Sequence, residues 1–468
     1  MATDLIIIGG GPGGYVAALR AAQLGARVSL IEAERIGGVC LNVGCIPTKA
    51  LLSSAEVYHL VGQAAQFGVR VGQPEVDWPA MQARKVEVVN KLVGGVRMLL
   101  DRAGVTVVAG RARFVGPQEL VVEGPAGTQR LSAPRYIIAT GSSPLRLPIP
   151  GADLPGVLDS TGMLEIEALP ASLVVVGGGA VGLEFATLYA TLGVKVTVVE
   201  MLARLAPLAD ADIGDALRTA LLLQGVKVYV GTRITALEAG PGTLRAHLTG
   251  PQGDSTIEAE KVLLAAGRRP NVEGLGLEAA GVAFDRKGIR VDERMATTVP
   301  HIYAAGDVVG GAMLAHVSMH QGVVAAENAL GHTAQMRYNA IPSCIFSRPE
   351  AASVGLTEEA ARQQGYDVRV GRFPFNGNGK AIAQGEIEGF VKVVSEARYN
   401  ALLGMHIVGP HASDLILEGG LGLTLETTLD ELAETIHAHP TLGEAVSEAG
   451  LAALGRALHL PGGGASNK

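Results

Sequence analysis

Two segments of the chain repeat one pattern without a gap. Residues 5–32 read LIIIGGGPGGYVAALRAAQLGARVSLIE, and residues 173–200 read LVVVGGGAVGLEFATLYATLGVKVTVVE. Each segment has a continuous apolar run, a glycine turn, a stretch with helical periodicity and a second apolar run that ends in glutamate. Strand, turn, helix and strand in this order predict a parallel βαβ unit. The chain is therefore predicted to be an α/β protein with two Rossmann-like units.

The glycine turns of the two segments have a spacing that is typical of dinucleotide sites. The glycines fall in register at Gly9, Gly11 and Gly14 in the first copy and at Gly177, Gly179 and Gly182 in the second. Between a strand and a helix, they let the backbone approach a pyrophosphate at the helix N-terminus, where free N–H groups attract anions. One such turn is weak evidence, and two tight turns without a ligand are the alternative interpretation. Two complete copies favour two dinucleotide sites.

An acid ends each segment, Glu32 in the first copy and Glu200 in the second. A carboxylate about 20 residues after the glycine turn accepts hydrogen bonds from ribose hydroxyls. The same charge repels a 2′-phosphate, so Glu200 favours NAD over NADP.

The first copy contains an insertion that the second lacks. The return strand IIATGSSP at 137–144 resembles LLAAGRRP at 263–270, and both end in a glycine turn. The interval from the first glycine to this turn is longer in the first copy. It runs from residue 9 to 141 there and from 177 to 267 in the second copy. Residues 40–100 include two helix-like stretches and account for the difference.

The insertion carries Cys40 and Cys45, in the run GGVCLNVGCIPTK. In a regular α-helix, Cα atoms five residues apart are about 8.6 Å from each other, whereas a disulfide needs roughly 4.4–6.8 Å. The helix must therefore be interrupted if the two bond, and Gly44 permits this. Pro47 suits the first turn of a new helix, whose positive end would favour a thiolate at Cys45. We predict a redox-active pair; a structural disulfide and two free buried thiols are the alternatives.

Composition narrows the class of protein. Hydrophobic residues make up 48% of the 468 residues and charged ones 18%, which predicts large cores and two to four domains. The net charge of −7 argues against nucleic acid and anionic membranes as partners. No apolar run approaches the roughly 20 residues that a membrane helix needs. No basic region precedes the first apolar strand at Leu5, so we expect no signal peptide. Only three cysteines are present, so we expect a reducing cytoplasm.

The later part of the chain departs from the duplicated pattern. A strand that ends in Gly306-Asp307 lies within TTVPHIYAAGDVVGGAML, and a helix is predicted from about Ala315 to Leu330. From about residue 339 the pattern changes to strands in IPSCIFSRPEAASVG, GFVKVVSE and ALLGMHIVG, with helices after 411. We interpret this as a third, α+β domain.

Taken together, these motifs resemble the class I pyridine nucleotide–disulfide oxidoreductases, and within them the members that oxidise dihydrolipoamide. The resemblance covers nearly the whole chain, through GGGPGGY, GGVCLNVGCIPTKALL, VVVGGGAVGLEFA, HIYAAGDVV, MLAH and HAHPTLGE. It implies an FAD-binding domain from residues 1–146 and 272–338, an NAD-binding domain from 147–271, and a dimerisation domain from 339–468. The expected cofactors are one tightly bound FAD per subunit and NAD.

The resemblance also assigns candidate site residues. The implied FAD contacts are Gly9, Gly11, Gly14, Glu32, Lys49, Ala112, Asp307 and Ala315. The implied NAD contacts are Gly177, Gly179, Gly182, Glu200, Ile234 and Gly267. Glu184 is expected near both the flavin and the nicotinamide, paired with Lys49.

The resemblance implies that thiol–disulfide exchange at Cys40 and Cys45 needs an acid–base group. By the resemblance this is His439, oriented by Glu444, and both reach the cysteines of the other subunit of a homodimer. A histidine with an ordinary pKa near neutral suits the deprotonation of a thiol. His437 is the weaker candidate, and a buried structural histidine is the alternative for either. Gly443, where the family more often has a side chain, is expected to loosen the turn that holds Glu444.

The implied activity is oxidation of protein-bound dihydrolipoamide with reduction of NAD⁺. The implied partners are lipoyl domains and the acyltransferase core of 2-oxoacid dehydrogenase complexes (pyruvate, 2-oxoglutarate or branched-chain), or the glycine cleavage complex. Metal, nucleic acid and membrane are not expected. Cys344 lies outside the family pattern and is predicted to be a buried small hydrophobe.

Several other functions compete with this one. Glutathione and trypanothione reductases would use NADPH, which Glu200 disfavours. Mercuric reductase would have a further cysteine pair near the C-terminus, and the soluble transhydrogenases lack the full redox pair. A protein whose main role is docking in a multienzyme complex, and a flavoprotein without catalysis, are alternatives of a different class.

Overall fold

The computed structural model describes residues 3–461. Its first part alternates strands with helices, and the two cysteines near residue 40 lie in the helical insertion. The strands are β1 (Leu5–Ile8), β2 (Val28–Glu32), β3 (Thr106–Ala109), β4 (Arg111–Gly116), β5 (Glu119–Gly124), β6 (Gly127–Leu131), β7 (Arg135–Ile138) and β8 (Ser142–Pro144). The helices are α1 (Pro12–Gln23), α2 (Gly38–Val43), α3 (Cys45–Gln63) and α4 (Trp78–Arg102), with a 3₁₀ turn at Ala64–Phe67.

The second part repeats the strand and helix order of the first with a shorter insertion. Its strands are β9 (Val157–Leu158), β10 (Ser172–Val176), β11 (Lys195–Val199), β12 (Lys227–Tyr229), β13 (Arg233–Ala239), β14 (Leu244–Gly250), β15 (Gly253–Ala259) and β16 (Lys261–Leu264). Its helices are α5 (Ser160–Met163), α6 (Ala180–Thr191) and α7 (Ala211–Leu223).

A third segment returns to the first sheet before the C-terminal part begins. Its strands are β17 (Arg268–Pro270), β18 (Phe284–Asp285), β19 (Gly288–Ile289) and β20 (Ile302–Ala304), and its helices are α8 (Leu277–Ala280) and α9 (Ala315–Ala329), with a 3₁₀ turn at Asp307–Val309. Strand β20 pairs in parallel with β7, and α9 packs against α1. Strand β17 pairs with β8, so the two connections between the nucleotide units lie side by side.

The C-terminal part contains one antiparallel sheet with helices. Its strands are β21 (Ser343–Ile345), β22 (Glu350–Gly355), β23 (Val368–Pro374), β24 (Phe390–Glu396) and β25 (Leu402–Gly409). Its helices are α10 (Glu358–Gln363), α11 (Gly379–Gln384), α12 (Ala412–Thr424), α13 (Leu429–Glu434) and α14 (Glu444–Ala453), with a 3₁₀ turn at Phe375–Gly377. The sheet order is β21-β22-β25-β24-β23. The sequence pattern predicted four of these strands and missed β23.

The two nucleotide units have the same topology. The first has a parallel sheet in the order β3-β2-β1-β7-β20, and the second has β12-β11-β10-β16-β9. A three-stranded antiparallel meander accompanies each sheet, β4-β5-β6 in the first unit and β13-β14-β15 in the second. The outer strand of the first sheet comes from late in the chain, because β20 follows the entire second unit.

The described helices show how the units differ. Helices α2, α3 and α4 lie between β2 and β3, whereas α7 alone lies between β11 and β12. In residues 3–461, no helix combines the length and the apolar character that crossing a membrane would require.

An apolar core joins the second unit to the C-terminal sheet. It includes Phe185 and Tyr189 of the second unit together with Ile345, Phe390 and Val408.

Candidate active site

The first and third glycines of each turn are required by close packing. Gly9 has a φ of +105° and Gly177 one of +113°, which favours glycine. A Cβ atom on Gly14 would lie 1.8 Å from the carbonyl oxygen of Gly9, and one on Gly182 would lie 1.9 Å from that of Gly177. These four glycines therefore allow helices α1 and α6 to approach their strands.

The middle glycine of each turn is different, because a Cβ atom at this position would point away from the strand and helix. The nearest atom to a Cβ on Gly11 is the Cα of Gly38, at 3.8 Å. Among residues 3–461, no atom lies within 4 Å of a Cβ placed on Gly179. Neither glycine has a positive φ. The structure thus leaves space at these positions for a ligand to approach the backbone, as the pyrophosphate of a dinucleotide does.

The acid after each unit is held against its glycine turn by backbone hydrogen bonds. One oxygen of Glu32 accepts from the N–H of Gly10 at 2.6 Å, and the other accepts from that of Glu34 at 2.7 Å. Glu200 accepts from the two equivalent N–H groups of its own unit, both at 2.6 Å. Because a carboxylate has about four acceptor sites, each acid retains capacity for the ribose hydroxyls that the sequence predicted.

One cavity of about 860 Å³ connects the first glycine turn to the insertion and to the second unit. Ligand pockets commonly have volumes of roughly 300–1,000 Å³. The cavity is lined by ten of the residues that the sequence predicted: Gly9, Gly11, Glu32, Cys40, Cys45, Lys49, Ala112, Glu184, Asp307 and Ala315. The donor set and the open glycine turn fit an FAD.

The other predicted residues do not line this cavity. They are Gly14, Gly177, Gly179, Gly182, Glu200, Ile234, Gly267, His439 and Glu444. Ile234 is 7% exposed and packs in the core between the second sheet and its meander. Its side chain therefore belongs to the core, and the NAD contact assigned to it remains a prediction.

The cysteine pair lies where two helices meet. Helix α2 ends at Val43 and α3 begins at Cys45, so the helix is interrupted at Gly44 as the spacing required. All three cysteines of the described residues are thiols. The side chains of Cys40 and Cys45 interact by a hydrogen bond. This bond, opposed by burial and aided by Lys49, lowers the pKa of Cys45 to about 7. The same bond, together with burial, raises the pKa of Cys40 far above its usual range.

Lys49 and Glu184 form an ion pair at the wall of the cavity. The Nζ of Lys49 lies 2.8 Å from each carboxylate oxygen of Glu184. The N–H of Phe346 donates to Glu184 at 3.2 Å, and the ring of Phe346 lies 4.5 Å from Nζ. Residues from the first unit, the second unit and the C-terminal part therefore meet beside the cysteines.

Asp307 belongs to a polar cluster that the sequence did not predict in full. The Oγ of Ser142 donates to Asp307 at 2.5 Å, and Arg268 donates to both the Oγ and the carbonyl oxygen of Ser142 at 2.7 Å. Burial lowers the pKa of Arg268, against the attraction of Asp307. Ser142 and Arg268 follow the two equivalent return strands, so the internal repeat was the signal that could have found them.

Cys344 lines the same cavity as the redox pair. It is half-buried and packs against the C-terminal core, which agrees in part with the predicted buried hydrophobe. Burial raises the pKa of this thiol to about 11. Cys344 is therefore a weaker acid than Cys45.

His439 and Glu444 are hydrogen-bonded to each other on the surface of the chain. The Nδ1 of His439 lies 2.8 Å from Oε1 of Glu444, and the N–H of Thr441 donates to the other oxygen at 2.9 Å. Burial raises the pKa of Glu444, but these hydrogen bonds outweigh it and hold the pKa below its ordinary value. The His439 side chain is 78% exposed.

Gly443 lies in the turn that holds Glu444. Gly443 has a helical φ of −61° and serves as the N-cap of α14. Its carbonyl oxygen accepts from the N–H of Val446 at 2.8 Å. The hydrogen bonds from Thr441 and with His439 hold Glu444 in this turn, and the expectation that Gly443 loosens it remains a prediction.

Comparison with known proteins identifies the family. Residues 3–322 match the model of the pyridine nucleotide-disulphide oxidoreductases, and residues 341–450 match the dimerisation domain of the same family. The chain belongs to this family. It is a flavoprotein disulfide oxidoreductase with FAD and NAD(H) as cofactors. The fold class, the family and the cofactors expected from the motifs are confirmed, and the dimerisation domain supports a homodimer.

Curated relatives match over nearly the full length. A dihydrolipoyl dehydrogenase of Thermus scotoductus is 46% identical over 462 residues and covers 98% of both chains. Dihydrolipoyl dehydrogenases of Zymomonas mobilis and Bacillus subtilis are 44% and 42% identical, each covering 97% of this chain and 99% of its own.

Solved structures of the family have the same fold. LpdA from Mycobacterium tuberculosis superposes with a TM-score of 0.88 at 30% identity, over 96% of this chain and 99% of its own. The HOCl-induced flavoprotein disulfide reductase RclA from Escherichia coli, in a Cu(II) complex, has a TM-score of 0.87 at 30% identity and the same coverage.

Proposed function

We propose that this chain is an NAD-dependent dihydrolipoyl dehydrogenase, which oxidises protein-bound dihydrolipoamide to lipoamide and reduces NAD⁺. The observation that carries the proposal is the position of Cys40 and Cys45. They line one cavity together with the first glycine turn and the ion pair between Lys49 and Glu184. The relatives named dihydrolipoyl dehydrogenase, at 41–46% identity, support the choice of substrate.

The proposed reaction begins at the disulfide form of the pair. His439 accepts the proton of one dihydrolipoyl thiol, and the resulting thiolate attacks the sulfur of Cys40. A mixed disulfide forms and Cys45 leaves as a thiolate. The second dihydrolipoyl thiol then displaces Cys40, and its proton passes to the leaving Cys40 sulfur. Lipoamide is released with its disulfide, and the enzyme holds the reduced pair, with Cys40 as a thiol, Cys45 as a thiolate and His439 protonated. Two electrons have moved from the substrate to the cysteine pair.

An FAD held by Gly9, Gly11 and Glu32 would supply a two-electron acceptor between the cysteine pair and NAD⁺. The roles of the chain itself are electrostatic. Lys49 stabilises negative charge at the Cys45 sulfur and, after the hydrogen bond with Cys40, contributes to the lowered pKa of that thiol. We propose that Glu184 keeps Lys49 in position, because both of its oxygens contact the ammonium group.

The site is proposed to be complete only in a homodimer. His439 is exposed and does not line the cavity of its own chain. The match to the dimerisation domain supports a pairing in which His439 of one protomer reaches the cysteines of the other. Glu444 would then orient the ring and stabilise its charged form during proton transfer.

The remaining expectations are also part of the proposal. We infer an FAD-binding domain from residues 1–146 and 272–338, an NAD-binding domain from 147–271 and a dimerisation domain from 339–468. We infer that the enzyme works in the cytoplasm. Its inferred partners are lipoyl domains and the acyltransferase core of a 2-oxoacid dehydrogenase complex, or the glycine cleavage complex.

Steady-state turnover tests the function directly. Purified protein with FAD is expected to reduce NAD⁺ with dihydrolipoamide and to use NADP⁺ poorly, because Glu200 disfavours a 2′-phosphate. Cys45→Ser should retain FAD and its NADH-dependent reduction of artificial acceptors but lose dihydrolipoamide oxidation. Turnover of glutathione disulfide in place of lipoamide, or normal turnover by Cys45→Ser, would contradict the proposal.

A further inference from the structure

Both ring nitrogens of His437 face acceptors. Its Nδ1 lies 2.8 Å from the carbonyl oxygen of Thr435, and its Nε2 lies 2.8 Å from a carboxylate oxygen of Glu418. A neutral imidazole has one N–H and can satisfy only one of them. The side chain is 11% exposed, so water cannot readily replace the missing partner. The hydrogen-bond geometry therefore requires the imidazolium form.

The ring of His437 lies beside the turn that carries the exposed histidine. A Cβ placed on Gly443 would lie only 3.4 Å from Cδ2 of His437, so the ring lies close to the backbone of Gly443. The next residue, Glu444, begins α14 and binds His439. Residues 435–444 are thus attached to α12 through Glu418 and to α14 through Glu444.

We propose that His437 is a positioning residue, which ties residues 435–444 to α12 as an imidazolium and thereby holds His439 and Glu444 in place for deprotonation of the substrate thiol. This inference rests on the proposed function. It gives a role to the first histidine of HAHPTLGE, which the reaction itself does not use.

The surrounding charges favour the cation. Glu418 faces the ring from α12, Glu444 faces it from α14, and His439 is the other titratable group of the segment. The hydrogen bond to Glu418 raises the pKa of His437, against the effect of burial, and Glu444 contributes further. A raised pKa means that the cation is present at low pH and is lost as the pH rises through that value. The rate of dihydrolipoamide oxidation should therefore fall on the alkaline side.

Glu418→Gln tests the role with little change in shape. The amide oxygen can still accept a hydrogen bond, but the charge that stabilises the imidazolium is gone. We expect the alkaline limb of kcat to move to lower pH by about one unit, with the rate at lower pH within about twofold of the wild type. Asp414→Asn, which removes a charge from an exposed position of the same helix, is the matched control and should leave the profile unchanged.

His437→Asn supplies the second variant. It cannot carry the charge, so we expect a kcat about tenfold lower and no alkaline limb from this residue. NADH-dependent reduction of an artificial acceptor, which does not need His439, should be unchanged and shows that the protein is folded and holds FAD. An unshifted profile in Glu418→Gln, or an equal loss in both assays, would overturn the role of His437. A wild type that does not oxidise dihydrolipoamide would instead overturn the proposed function.

Discussion

The ammonium group of Lys49 lies 2.8 Å from both carboxylate oxygens of Glu184, beside the cysteine pair. Lys49 stands one turn after Cys45 on α3, and Glu184 follows the second glycine turn on α6. Two opposite charges from two different units therefore act on one sulfur atom. This arrangement couples the thiolate of the first unit to the position of the second.

Removal of the charge of Lys49 or of Glu184 should change the pKa of Cys45, in opposite directions. The hydrogen bond with Cys40 is the largest cause of the lowered value of about 7, while Lys49 lowers it and Glu184 raises it. Lys49→Met should therefore raise the pKa by about one unit, and Glu184→Gln should lower it. The alkylation rate of the dithiol form as a function of pH measures both. Shifts in the same direction would contradict this assignment.

Substitutions of two glycines in the second turn should distinguish a role in packing from a role in cofactor binding. Gly179→Ala places a methyl group in open space, so the protein should fold, hold FAD and accept electrons from dihydrolipoamide. Its KM for NAD⁺ should rise by about tenfold or more, because the backbone can no longer approach the pyrophosphate. Rapid-mixing measurements of the two half-reactions separate these effects.

Gly182→Ala is the matched comparison on the same turn. Its methyl group would lie 1.9 Å from the carbonyl oxygen of Gly177, so we expect lower stability and poor yield rather than a selective change in KM. A normal KM for NAD⁺ in Gly179→Ala would exclude the second turn from the nucleotide site.

His439→Gln should lose about 10²–10⁴-fold in dihydrolipoamide oxidation, with little change in the thermal midpoint because the amide can still donate a hydrogen bond to Glu444. Glu444→Gln should lose less, since the amide can still accept from Nδ1 but stabilises the imidazolium poorly. NADH-dependent reduction of an artificial acceptor should be normal in both variants. A loss of less than tenfold in His439→Gln would remove this residue from the proton transfer.

A buried charge network should stabilise the contact between the second unit and the C-terminal sheet. Lys392 is 3% exposed and lies 2.8–2.9 Å from Asp210, Asp212 and Glu358. Lys392→Met leaves these carboxylates without their cation and should cost about 3–5 kcal/mol. Arg245→Ala removes an exposed partner of Glu258 and should cost less than about 1 kcal/mol. Thermal unfolding compares the two, and equal midpoints would contradict the prediction.

The same network predicts the sign of a pH effect. Burial raises the pKa of Asp210, but Lys392, His406 and the N–H of Glu358 outweigh it and leave the pKa lowered. A lowered pKa in the folded state gives a stabilisation that is complete above the unfolded value of about 3.9. It is lost as the pH falls through the folded pKa. Acid unfolding followed by circular dichroism should therefore begin at a higher pH in Lys392→Met than in the wild type.

Much of the fold was accessible from the sequence because its signals are local. The duplicated strand–turn–helix pattern predicted β1, α1 and β2 and their counterparts in the second unit. The unequal intervals predicted the helical insertion, and α3 does begin at Cys45. Strand β23 was missed because Gly371 interrupts its alternation, and a Cβ there would lie 2.0 Å from the carbonyl oxygen of Ala449 on α14. That requirement comes from a neighbour far along the chain.

The sequence by itself determined the features that depend on a few adjacent residues: the glycine turns, the acids that follow them, and the break at Gly44 that brings Cys40 and Cys45 together. Only the tertiary structure decided which charges meet, as at Lys392 with Asp210 and at His437 with Glu418. The physical reason is distance. Backbone conformation and helical or strand periodicity act over a few residues, whereas an ion pair forms wherever packing brings two side chains within a few ångströms.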